Sequence, residues 1–116
     1  MALRAVELCA ELLSPAPTAE SVARVLRAHG ETDAVTARDV TALREAAVRL
    51  AEVLAAPSPG QAAELLNRIL AGSAGPPRLT SHGGVSGWHL HVDSSDEAPW
   101  AEWFLTSSAL AFATLL

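Results

Sequence analysis

The amino-acid sequence predicts an α+β fold that is mainly helical, with about five helices and one antiparallel two-stranded β-hairpin at about 78–93. Up to about residue 71, apolar side chains recur at the helical period. After a Gly- and Pro-rich segment at 72–77 the period changes to two, which is the spacing of a strand. Because the chain has 116 residues and half are hydrophobic, we expect a single domain, 1–116, with one core.

The first two predicted helices are short and amphipathic. Residues 2–13 carry an apolar stripe at helical spacing, and a Ser-Pro-Ala-Pro sequence ends this helix. Thr18 can cap a second helix over 19–29, because its side-chain oxygen can accept from a free amide of the first turn. Gly30 follows where a left-handed residue commonly ends a helix.

The third and fourth predicted helices have similar start signals. Thr36 and Asp39 form a capping pair for the longest helix, which continues until Pro57. A serine cap, a proline at the first helical position and a glutamine at the third predict the fourth helix over 59–71. We expect both helices to bury one face in the shared core.

The predicted hairpin consists of residues 78–82 and 87–93 around a glycine-rich loop. Alternation in the second strand separates two sets of side chains. We expect the apolar set to face the core; it consists of Trp88, Leu90 and Val92. We expect the polar set to face away from the core; it consists of His89, His91 and Asp93.

The C-terminal segment predicts a long, largely buried helix. Its apolar run, Trp100–Leu116, follows Pro99 and two acidic residues suited to a helix start. No run of about 20 apolar residues occurs, so we expect no membrane span and no signal peptide. A cytoplasmic location is the simplest expectation.

Composition restricts the classes of function. The net charge is −5, and all eight basic residues are arginine, so this segment lacks the cationic surface that binds nucleic-acid phosphates. Cys9 is the only cysteine, which excludes an internal disulfide and a multi-cysteine zinc site within these residues. The Arg- and Ala-rich composition is typical of a GC-rich genome.

Histidines provide the most specific candidate site. His89 and His91 project from one face of the second strand, Asp93 extends the row, and His82 lies across the hairpin. Such a set can hold zinc, iron or nickel, and an open fourth position permits metal-bound water chemistry. The alternative is that these side chains form the solvated face of a half-buried hairpin.

A second candidate site is a small-molecule pocket. Arg78 beside the histidines could recognise a carboxylate or phosphate. Trp100 and Trp103 are three residues apart and share a helix face. With Trp88 they could wall an apolar pocket above the histidine row, although tryptophans more often fill a core.

Several stretches together resemble the ABATE domain. These are residues 17–30, 64–67, 76–82, 88–93 and 98–103, with Trp-His-Leu-His the most specific string. The ABATE domain is the N-terminal part of stress-induced transcription regulators, of which this chain resembles the actinobacterial type. In that family a zinc finger with a Cys-Gly-Asn-Arg signature follows, and the resemblance implies that this finger, which is absent from this chain, holds zinc and binds DNA.

The resemblance implies a regulatory domain that senses an effector, dimerises, or does both, and that does not itself bind DNA. We expect a homodimer, no membrane partner, and contact with DNA only through the missing finger. One alternative is a metal-binding or metal-dependent, hydrolase-like domain using His82, His89 and His91; another is a purely structural interaction domain. Because no nucleophile or phosphate-loop motif occurs, we expect no catalytic residue and no enzymatic activity.

Overall fold

The computed structural model describes residues 2–73, 75–84, 87–95 and 97–116. Within these residues the chain forms five helices and one two-stranded antiparallel sheet, which confirms the mainly helical α+β class. Their order is α1 (Ala2–Leu12), α2 (Ala19–Ala28), α3 (Ala37–Leu54), α4 (Pro59–Ser73), β1 (Arg78–Thr80), β2 (His89–His91) and α5 (Trp100–Ala113).

Threonine caps begin two helices where the sequence predicts them. The Thr18 hydroxyl accepts from the Ser21 amide at 3.0 Å, and the Thr36 hydroxyl accepts from the Asp39 amide at 3.1 Å. In both cases the third helical side chain returns a bond to the cap backbone, so two otherwise unpaired amides are satisfied at each start. Gly30 follows α2 at φ +85°, a conformation that favours glycine.

The hydrophobic core is built by the helices. Helix α3 packs against α1 and α5, and α5 also packs against α4. The largest fully buried apolar side chains are Leu8, Leu12, Val22, Leu26, Leu43, Leu50 and Phe104.

Helix α5 differs from the long apolar helix predicted up to Leu116. It ends at Ala113 after 14 residues, so it is shorter than α3 with 18 and α4 with 15. Its buried face includes Thr106 and Ser108. The Thr106 hydroxyl donates to the Glu102 carbonyl at 2.8 Å, which satisfies its polar group inside the core. Among the described residues, no helix has the length and apolarity needed to cross a membrane.

The hairpin pairs β1 with β2 in antiparallel register, with Leu79 opposite Leu90 and Thr80 opposite His89. Each strand has three residues, fewer than predicted. The predicted orientation of the second strand is wrong for Trp88 and Leu90, which are 76% and 44% exposed, and for His91, which is buried.

The inner face of the hairpin is therefore polar. Two three-residue strands bury too little apolar surface to dictate the orientation, and the inward polar groups satisfy one another by hydrogen bonds instead. Val92 is buried as predicted, because β2 ends at His91 and strand alternation no longer constrains the next residue. The amide of Gly75 donates to the Val92 carbonyl at 2.6 Å and holds this segment.

Candidate metal centre

Three histidine side chains meet on the inner face of the hairpin. His89 and His91 lie on the same face of β2, and His82 lies in the turn after β1 with φ +52°. The Nε2 atoms of His82 and His89 are 3.0 Å apart. One nitrogen from each of the three rings lies within 4.8 Å of the others, so the structure brings together the three histidines that strand periodicity selected.

Hydrogen bonds orient two of these rings. The Nδ1 atom of His89 lies 2.7 Å from the Gly87 carbonyl oxygen, and that of His91 lies 3.1 Å from Asp93 Oδ1. A carbonyl or carboxylate oxygen only accepts, so each Nδ1 carries the proton while these bonds are made. The Nε2 atom of each ring then keeps a lone pair that can bind a metal, which at His89 would replace the 3.0 Å contact with His82 Nε2.

Asp93 lies behind His91 rather than among the ligand nitrogens. Its side chain is only 3% exposed, and its Oδ1 atom also accepts from Arg78 Nη2 at 2.9 Å. Arg78 Nη1 donates to the Asp93 backbone carbonyl as well. Asp93 Oδ1 thus contacts Arg78 and His91, and the predicted role of Asp93 as a direct metal ligand stays a prediction.

The three tryptophans do not form the predicted pocket above the histidines. Trp88 precedes β2 and is 76% exposed. Trp100 and Trp103 contact each other edge-to-face at 5.2 Å and pack against the helical core. The Trp100 indole donates to the Ala34 carbonyl at 2.8 Å, and Arg4 lies 4.6 Å above the Trp103 ring, so both side chains have structural partners.

An open cleft of about 480 Å³ lies between β1 and the segment that follows β2. It is lined by Arg78, Thr80, Ser94, Ser95 and Glu97, with no indole among them. Sequence reasoning missed Thr80, which is buried and whose hydroxyl accepts from the His82 amide at 3.1 Å. Its position opposite His89 in the register is the signal that could have identified it.

The donor set defines what the cluster can bind. Imidazole nitrogens suit zinc, copper, nickel and iron, whereas magnesium and calcium prefer oxygen ligands. Three protein ligands leave a fourth position of a tetrahedral metal for water or another small ligand. The Asp93 contact to His91 is the carboxylate–histidine pairing that commonly orients a metal ligand.

Fold and site together define a small helical domain that presents three convergent histidines on a polar-faced hairpin. The chain belongs to the ABATE family, whose model is described as "Putative stress-induced transcription regulator" and matches residues 5–116. No curated protein and no solved structure matches the chain.

Proposed function

We propose that this domain is the metal-responsive regulatory module of a stress-induced transcription regulator. Its effector is a divalent transition metal, with zinc as the reference ion, bound by His82, His89 and His91. The observation that carries the proposal is the convergence of three ligand nitrogens within 4.8 Å on the polar inner face of the hairpin, where His91 is buried. Membership of the ABATE family supports the regulatory context.

Several features favour sensing over catalysis. Asp93, the carboxylate bonded to a ligand ring, is held by Arg78 and is not free to act as a general base. The net charge of −5 disfavours direct contact with DNA, so the proposal assigns DNA binding to the zinc finger of the family. For regulation, the metal must bind one of two conformations of the domain more tightly than the other.

The proposal is tested by metal analysis of the chain purified without chelator and dialysed against zinc. We expect close to one zinc per chain by inductively coupled plasma mass spectrometry, and loss of this zinc in His89→Ala/His91→Ala. His29→Ala is the matched control, since it removes an imidazole that pairs with Glu7 outside the cluster. Zinc retained by the double variant, or absent from the original chain, would overturn the proposal.

A second proposed role is formation of a homodimer through the outer face of the hairpin. Leu79 and Leu90 are paired across the strands and exposed, and the neighbouring Trp88 is also exposed. Large exposed apolar patches commonly mark interaction sites. Light scattering after size exclusion should give a dimer mass for the original chain and a monomer mass for Leu79→Ser/Leu90→Ser.

The control for dimerisation is Leu3→Ser, which changes an equally exposed leucine on α1. A monomer mass for the original chain, or an unchanged dimer in the hairpin variant, would exclude the outer face as the dimer interface.

A further inference from the structure

Hydrogen bonds hold the base of the hairpin beside the helical body. Beside β2, the Gly75 amide donates to the Val92 carbonyl, and the Ser94 hydroxyl donates to Glu102 of α5 at 2.8 Å. The helical core cluster includes no residue of β1 or β2. The ligand histidines His82 and His89 lie toward the opposite end, where the turn joins the strands.

The hairpin also has little intrinsic stability. Each strand has three residues, and an isolated two-stranded sheet is marginal in water. Its apolar pair, Leu79 and Leu90, faces outward, so burial of these side chains contributes little to holding the strands on the body. His82 adopts a left-handed backbone conformation, which is uncommon for a residue other than glycine.

A bound metal would add a further link between the two sides of the hairpin, beside the strand pairing and the Arg78–Asp93 ion pair. His82 follows β1, whereas His89 and His91 belong to β2, so one ion would link both strands. Neighbouring nitrogens around a tetrahedral zinc are about 3.4 Å apart, given Zn–N bonds of about 2.0–2.1 Å. The described ring nitrogens span up to 4.8 Å, so binding would draw the rings closer together.

We infer that formation of the hairpin and metal binding are thermodynamically coupled. The hairpin is thus the element whose conformation changes when the domain binds metal. The inference rests on the proposed function and specifies how the site is regulated. Without metal, the helices stay folded while the strands open readily. With metal, the strands close and present Leu79, Leu90 and Trp88 as an ordered surface.

Hydrogen exchange by nuclear magnetic resonance tests the coupling, using the whole chain with EDTA or with zinc chloride. In the metal-free chain, amides of 78–80 and 89–91 should exchange within roughly tenfold of the rate of an unstructured peptide, while buried positions of α3 are strongly protected. At free zinc 100 times the Kd, the protection of the strand amides should rise on the order of 100-fold.

The outcomes separate this inference from the proposed function. If zinc binds but the strand amides of the metal-free chain are already as protected as those of α3, the hairpin is preformed and the inference is wrong, although the metal site stands. If no zinc binds, the proposed function fails and the coupling fails with it. In His89→Ala/His91→Ala, zinc should leave strand exchange unchanged.

A disulfide that holds the two strands closed tests the same coupling from the other side, through its effect on zinc affinity. Leu79 and Leu90 are directly opposite, so Leu79→Cys/Leu90→Cys can form a cross-strand disulfide on the face away from the histidines. Coupling is reciprocal, so the oxidised variant should bind zinc more tightly than its reduced form. The expected factor is one divided by the fraction of reduced chains whose hairpin is closed. Equal affinities for oxidised and reduced forms would contradict the inference.

Discussion

The Nδ1 atom of His91 lies 3.1 Å from Asp93 Oδ1, and this contact determines which nitrogen of the ring faces the histidine cluster. The same oxygen accepts from Arg78 Nη2 at 2.9 Å, and this contact holds the carboxylate beside the ring. In the proposed metal site, Asp93 would therefore act through His91.

Replacing this carboxylate should weaken metal binding without removing a ligand. We predict that Asp93→Asn lowers zinc affinity by about 10–100-fold, because a neutral amide polarises the imidazole less and releases Arg78 from its ion pair. Isothermal titration calorimetry measures the change, with Asp33→Asn at an exposed position as the control. Unchanged affinity in a folded Asp93→Asn variant would show that Asp93 does not position His91.

Core packing on α3 predicts that alanine substitutions at two of its leucines lower the free energy of unfolding by very different amounts. Leu50 is fully buried, so Leu50→Ala should lower the free energy of unfolding by about 2–5 kcal/mol through lost burial and a cavity. Leu54 is 52% exposed, and Leu54→Ala should cost much less. Urea denaturation of both variants measures the difference, and equal losses would contradict the described orientation of α3.

Loss of the helix cap at the start of α3 should lower the free energy of unfolding by less than the core substitution does. Thr36→Ala removes the acceptor for the Asp39 amide and should cost about 1 kcal/mol of unfolding free energy. Thr41→Ala, within the same helix and exposed, is the matched control. The capping account fails in urea denaturation if the two variants are equally stable.

Burial raises the pKa of the Cys9 thiol to about 11, because the charged thiolate is poorly solvated inside the helical core. The thiolate is the reactive form and becomes more populated as pH rises toward that pKa. At pH 8 we therefore predict slow reaction with Ellman's reagent in the folded chain and fast reaction in denaturant. A fast reaction in the folded chain at pH 8 would show that Cys9 is accessible and ionised.

The helical half of the fold could be predicted from sequence because its signals are local. Thr18 and Thr36 cap α2 and α3 as expected, and a capping pair involves residues only three apart. The end of α5 could not be predicted in the same way, because the apolar run continues to Leu116 and no residue stops the helix at Ala113.

The candidate site could be predicted only in part. Period-two alternation placed His89 and His91 on one face, and the hairpin placed His82 opposite them. Which face turns inward depends on hydrogen bonds that Arg78 and Asp93 make across 15 residues, and no local pattern reports such partners. The hydrophobic preference of Leu90 therefore led to the wrong orientation.

Zinc X-ray absorption spectroscopy on the loaded chain tests the central claim most directly. The account predicts a four-coordinate zinc with three imidazole nitrogens at about 2.0–2.1 Å and one further light atom, and it predicts that His82→Ala loses one imidazole contribution. A shell of oxygen atoms alone, or the same imidazole count in His82→Ala as in the original chain, would contradict a metal centre at these three histidines.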